Sequence, residues 1–126
     1  MLLIIDTAEA NKIRLALCRD SNCSVIDKPT DKGQLEELLP AVDIFLKAQN
    51  ASPKDLKIIA VNEGPGTYTG LRIGITTANT LAWSLDIPIF GFHDLSNKEI
   101  ANLAVTQLEK NLHFTKPINP KYPYKI

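Results

Sequence analysis

Apolar positions change their period along this chain, and each change marks an element. Residues 2–6, 13–18 and 24–28 are short apolar-rich runs, with Asn11-Lys12 and Asp20-Ser21-Asn22 supplying turn chemistry between them. They predict a three-stranded antiparallel meander. From Lys32 to Asn50 the spacing turns helical: Leu35, Leu38, Leu39, Val42, Phe45 and Leu46 recur every three or four residues, and Asp31 is placed to serve as N-cap. Pro40 inside that helix removes one backbone donor and crowds the Glu36 carbonyl, which predicts a bend rather than a break. Ala51-Ser52-Pro53 reads as a loop, Asp55 to Asn62 as a fourth, largely buried strand, and Thr69 to Leu85 as a second helix. Ile87 to Gly91 makes a fifth strand, and Ser96 to Leu112 a third helix with Ile100, Leu103, Ala104 and Leu108 on one stripe. Beyond it, Pro117, Pro120 and Pro123 stand three apart, so residues 115–126 are expected to run as an extended or polyproline-like tail. The whole is an α/β fold: one domain over residues 1–112 with a mixed five-stranded sheet, then a tail over 113–126. Right-handed crossovers would place strands four and five beside strand one.

Between the fourth strand and second helix lies the densest signal in the chain, Asn62-Glu63-Gly64-Pro65-Gly66-Thr67-Tyr68-Thr69-Gly70-Leu71-Arg72-Ile73-Gly74. Gly64 and Gly66 around the rigid Pro65 describe a tight, pre-shaped loop, and Thr67 or Thr69 is suited to cap the following helix. Phosphate-binding patterns fail on spacing. Five residues beyond Gly66 stands Leu71 instead of the lysine of a P-loop, and Thr69 stands where a dinucleotide fold needs its third glycine.

This string closely resembles the signature of the bacterial TsaB family, also called YeaZ, in which Gly-Pro-Gly-Ser/Thr-Phe/Tyr-Thr-Gly-Leu-Arg-Ile-Gly follows the fourth strand. Leu2-Leu3-Ile4-Ile5-Asp6-Thr7-Ala8 resembles the family's opening strand, Leu35 to Leu46 its first helix, and Asp86-Ile87-Pro88-Ile89-Phe90-Gly91 the strand after the signature helix. The likeness spans residues 1–95. It implies a ribonuclease H-like half domain of the actin and Hsp70 (ASKHA) type, with Gly64, Pro65, Gly66, Thr67, Tyr68, Thr69, Gly70, Arg72 and Gly74 forming a structural or interface loop. It implies a non-catalytic pseudo-ATPase that supports TsaD in placing threonylcarbamoyl on the adenosine next to the tRNA anticodon. TsaE is then a second partner, tRNA an indirect one, and no cofactor is implied. Family members carry a second half domain that this sequence lacks. Its Pro-Lys-Tyr end resembles the family's own C-terminal tail, which favours natural shortening over truncation as an expectation.

Composition narrows the alternatives. Lys plus Arg and Asp plus Glu are both 14 in 126 residues, so no global basic field advertises nucleic-acid binding. No apolar run approaches the roughly 20 residues of a membrane span, and the first residues lack a basic leader region, so a cytoplasmic protein is expected. Cys18 and Cys23 fit neither a zinc ribbon nor a Cys-x-x-Cys pair, and are expected to be reduced thiols flanking a hairpin turn.

The rival class is a stand-alone hydrolase or metal-dependent nuclease. Asp6-Thr7-Ala8 lacks the glycine of a first phosphate loop and reads as a hairpin turn, while Asp6 and Glu63, ending strands one and four, are candidates to approach each other. Two carboxylates fall short of a two-metal site. His93 and His113 lack a third ligand nearby, and no serine has a visible His and acid constellation. Arg72 suits an anion or a partner's carboxylate bidentately, and equally a contact within the domain, with Glu63 or a carbonyl.

The second helix carries two stripes. Leu71, Ile75, Ala78, Ala82 and Leu85 should face the sheet, while Gly70, Ile73, Gly74, Thr77, Thr80 and Ser84 are small and weakly polar, as a close helix contact needs. Leu38, Ala41, Phe45 and Ala48 of the first helix lie beside them. These faces either pack on each other or, as the resemblance implies, form a bundle with TsaD or a second copy. The expected partner interface is then Leu38, Ala41, Phe45, Ile73, Thr77, Thr80 and Ser84.

Overall fold

The computed structural model describes residues 1–20 and 22–119. Its elements run β1 (Leu2–Asp6), β2 (Lys12–Arg19), β3 (Asn22–Pro29), α1 (Gln34–Ala48), β4 (Ile58–Asn62), α2 (Tyr68–Leu85), β5 (Ile89–Phe92) and α3 (Asn97–Lys110), with a 3₁₀ turn at Pro53–Asp55. The five strands form one mixed sheet in the order β3-β2-β1-β4-β5. β1 pairs antiparallel with β2 and parallel with β4, and β4 pairs parallel with β5. This is the ribonuclease H-like half-domain arrangement expected from the order of elements.

Both faces of the sheet are buried because each central strand alternates two apolar sets. Leu3, Ile5, Ile13, Leu15, Ile59 and Val61 point to the side covered by α1 and α2. Leu2, Ile4, Ala16, Ile58 and Ala60 point to the side covered by α3, where Ile100, Ala101 and Ala104 meet them. Each fully buried Leu or Ile contributes about 1.5–3 kcal/mol relative to exposure. β1 and β4 therefore read as nearly continuous apolar runs, as central strands buried on both faces do.

Helix starts depend on local chemistry. α2 begins where Thr67, as N-cap, accepts the Gly70 N–H at 3.1 Å, and ends at Asp86 in a left-handed conformation with φ 52°. α3 carries a reciprocal capping box between Ser96 and Glu99. α1 corrects the expectation of an Asp31 cap: Gly33 takes the N-cap position at φ 103°, with no side-chain cap, and the helix starts two residues later than expected. Gly33 serves because its positive φ turns the chain sharply into the helix, and Lys32 N–H is taken up by the Glu37 carboxylate at 2.7 Å. α1 runs unbroken through Pro40.

A second correction concerns the cysteines. β2 and β3 pair so that Cys18 faces Cys23, and the two are joined as a disulfide instead of standing as separate thiols. After α3 the chain has no regular structure over 111–119, and it turns back onto α2. Phe114 and Ile118 pack half-buried against the core, and the Asn79 side-chain amide grips the main chain of Ile118 from both sides, donating to its carbonyl at 2.9 Å and accepting its N–H at 2.8 Å. The expected extended path of residues 120–126, including Pro120 and Pro123, lies outside the described residues.

Candidate functional site

The signature loop is built against the end of β1. Asn62 closes β4 and does two jobs: its Nδ2 donates to Asp6 Oδ1 at 3.1 Å, and its Oδ1 accepts the Gly64 N–H at 2.9 Å. Gly64 is the loop position that needs glycine for its φ of 127°, and the Gly64–Pro65 bond is cis. Gly66 needs glycine for a different reason. A Cβ there would collide with the backbone and Cβ of Ala8, and this close approach lets Thr67 N–H reach the Ala8 carbonyl at 2.9 Å. His93 Nδ1 pairs with the Gly64 carbonyl from the far side.

Gly70 and Gly74 meet Thr7, not a partner helix. A Cβ at either would strike Thr7, whose hydroxyl donates to the Gly70 carbonyl at 2.5 Å. Gln34, the first residue of α1 and buried, donates through Nε2 to the carbonyls of Thr7, Glu9 and Lys12 at 3.0, 2.9 and 2.7 Å. Thr7 and Gln34 thus lock the β1–β2 turn, α1 and α2 together. Neither stood among the candidates, although a glutamine at an inward position of an apolar helix face was a legible signal. Arg72 stays within its own helix for one contact: its guanidinium donates to the Tyr68 hydroxyl at 3.0 Å and lies over that ring. Tyr68 is exposed, as are Pro65, Gly66, Thr67 and Thr69.

The expected helix face divides. Leu38, Ala41 and Phe45 are at most 5% exposed, so these three are corrected from partner contacts to core. Ile73 and Thr77 are half-buried, and Thr80 and Ser84 are exposed. Besides Ile44, 66% exposed on another flank, α1 exposes Leu35 at 74% and Leu39 at 55%, one turn apart on one flank. Across the helix from them Glu37 pairs with Lys28 of β3 at 2.7 Å, so the Leu35/Leu39 flank turns away from β3, toward α2. On α2, Asn79 holds residue 118 on one flank, and Ile73, Thr77, Thr80 and Ser84 occupy the other, toward α1. An apolar pair and a small-residue stripe therefore line the same seam. Trp83, at 69% exposed, stands on the outer side of α2.

On the opposite face of the sheet, a polar row crosses the strands: Asp27 on β3 is register partner of Arg14 on β2, and Arg14 of Asp6 on β1, beside Asn62 of β4. With Asp94 and Ser96 before α3, the residues Asp6, Arg14 and Asn62 line an open cavity of about 340 Å³. Asp6 spends one carboxylate oxygen on Ala8 N–H and Asn62. Strand alternation separates it from Glu63, whose carboxylate lies against Gly91 of β5, so the expected approach of Asp6 and Glu63 does not occur. Among the described residues no three His, Cys, Asp or Glu side chains gather at metal-binding distance.

A five-stranded β3-β2-β1-β4-β5 sheet with two helices on one face and one on the other, joined by a glycine loop at the end of β4, defines a half domain of the ribonuclease H-like, ASKHA class. Residues 26–117 match the profile described as TsaD, tRNA N6-adenosine threonylcarbamoyltransferase, and the chain belongs to that family, on its TsaB (YeaZ) side. The chain is 44% identical over 89 residues to the Bacillus subtilis tRNA threonylcarbamoyladenosine biosynthesis protein TsaB, covering 70% of this chain and 38% of that one. It is 33% identical over 96 residues to the TsaB of Buchnera aphidicola, covering 76% and 45%. YeaZ from Pseudomonas aeruginosa superposes with a TM-score of 0.67 at 29% identity, over 75% of this chain and 45% of that one. The chain spans less than half the length of these relatives.

Proposed function

We propose that this chain serves tRNA threonylcarbamoyladenosine biosynthesis as a non-catalytic docking subunit, and that it binds a TsaD-type transferase along the seam between α1 and α2. The observation that carries the reading is the pair Leu35 and Leu39, exposed beside the small stripe of Ile73, Thr77, Thr80 and Ser84. Small residues let a partner helix approach closely, and two leucines one turn apart supply apolar area for it to bury. TsaE, a second copy of the chain on the same seam, tRNA held only through TsaD, and the cytoplasm as compartment belong to this proposal. No helix among the described residues is long and apolar enough to cross a membrane.

The test is calorimetric titration of the chain with the TsaD of its own host, then reconstitution of the tRNA modification with and without it. Association is expected, with Leu39→Asp weakening it at least about tenfold while leaving the domain folded, since a carboxylate would be desolvated in the contact. Normal binding by Leu39→Asp discards the seam. Turnover of ATP or RNA by the chain alone with Mg²⁺ or Mn²⁺, abolished by Asp6→Ala, would favour the stand-alone enzyme instead.

A further inference from the structure

We propose that Cys23 is a site of thiol–disulfide exchange, at which a glutathione-class thiol opens the Cys18–Cys23 bond through a mixed disulfide. The two sulfurs sit in unlike surroundings. Thr30 N–H bonds the Asn11 carbonyl, and counting along the register from that hydrogen-bonded pair makes Cys18 and Cys23 a non-hydrogen-bonded pair, the kind whose facing side chains lie nearest. Cys18 is 2% exposed, paired on its other side with Leu2 of β1 and packed with Ile58, Ala101 and Ala104. Cys23 is half-buried on β3, the edge strand of the sheet, with no strand beyond it among the described residues.

Exchange requires a thiolate to reach the attacked sulfur from behind, along the S–S axis. On the β1 side Cys18 borders a cavity of about 160 Å³ lined by Leu2, Ile58, Ala101 and Ala104, in which it is only 2% exposed, whereas Cys23 stands half-buried on the open edge of the sheet. Attack therefore falls on Cys23. The glutathione sulfur bonds to Cys23 Sγ, the S–S bond breaks, and Cys18 leaves as a thiolate that takes a proton from water. A second glutathione thiolate then attacks the glutathione sulfur of the adduct, freeing the Cys23 thiol and producing glutathione disulfide. Two electrons pass from two glutathione molecules to the protein's sulfur pair. The reverse sequence, driven by glutathione disulfide, closes the bond again.

The neighbourhood gives the bond something to report on. Arg19, next to Cys18, donates to the Gln49 carbonyl at 2.6 Å, so the hairpin end is tied to the C-terminus of α1. Opening the bond removes the one covalent tie at this end and leaves main-chain pairing, the Arg19 contact and the packing of Cys18 on the core.

The experiment treats the intact chain with glutathione under native conditions, quenches with acid and maps adducts by peptide mass spectrometry. The expected adduct is on Cys23, with none on Cys18. In parallel, glutathione disulfide should modify Cys23 in Cys18→Ser at least about tenfold faster than Cys18 in Cys23→Ser, with circular dichroism reporting whether each variant is folded. Should either variant unfold, the intact-chain map decides. Adducts on Cys18, equal amounts on both, or a bond that opens only in denaturant would overturn the assignment.

Discussion

Thr7 donates its hydroxyl to the Gly70 carbonyl at 2.5 Å, joining the residue after β1 to the first turn of α2. Thr7 is 2% exposed, and Gly74 one turn further on leaves room for the same side chain. The glycines of the signature are thus partly accounted for by one threonine.

Gly74→Ala should destabilise the domain by about 1–3 kcal/mol, because the added methyl overpacks against Thr7. Combining it with Thr7→Ala removes the obstacle, so the double variant should lose less than the sum of the singles. Urea unfolding of the four proteins measures this. Strict additivity would mean that the two residues do not compete for the same space.

Adjacent leucines of α1 should behave oppositely. Leu38 is 1% exposed and Leu39 is 55% exposed. Leu38→Asp should cost more than about 4 kcal/mol by burying an unpaired charge, while Leu39→Asp should change stability by no more than about 0.5 kcal/mol. Circular dichroism melting separates the two. Similar losses in both would place α1 in the wrong rotation.

Glu37 titrates below the ordinary carboxylate value of 4.5, chiefly because the Lys28 ammonium bonds its carboxylate and then because Lys32 N–H does. A depressed folded-state value means that the group's contribution is present above 4.5 and is lost as pH falls through the lower, folded-state value. Glu37→Gln should therefore lower stability at pH 7 and converge with the parent well below pH 4. Urea midpoints across that range test the sign, and a gap that widens toward acid would refute it.

Asn79→Ala should release the chain around Ile118, since both main-chain contacts come from one amide. Hydrogen exchange at the Ile118 amide should quicken, with a global loss of about 1–2 kcal/mol at one kcal/mol per hydrogen bond. Unchanged exchange would show that Phe114 and Ile118 hold the segment by packing alone.

The sheet order and the position of each helix were legible because apolar period and glycine spacing are local properties of the sequence. Long-range partners were not. That Thr7 fills the space beside Gly70 and Gly74, or that Gln34 bonds three carbonyls of the β1–β2 turn, depends on chain segments more than twenty residues apart. The rotation of α1 was misread for a related reason: leucines occur on two adjoining flanks of that helix, so hydrophobicity alone did not separate Leu38 from Leu35 and Leu39. The cysteine pair was misread because spacing was weighed without register, and it is register that makes Cys18 and Cys23 facing neighbours.

Asn79 recognises residue 118 solely through its peptide group, so this anchor places almost no demand on which side chain stands there. The grip therefore depends on the identity of residue 79 and not on that of residue 118, whose side chain answers instead to its packing against the core. Proline is the one residue that this grip excludes at 118, because it has no N–H to give.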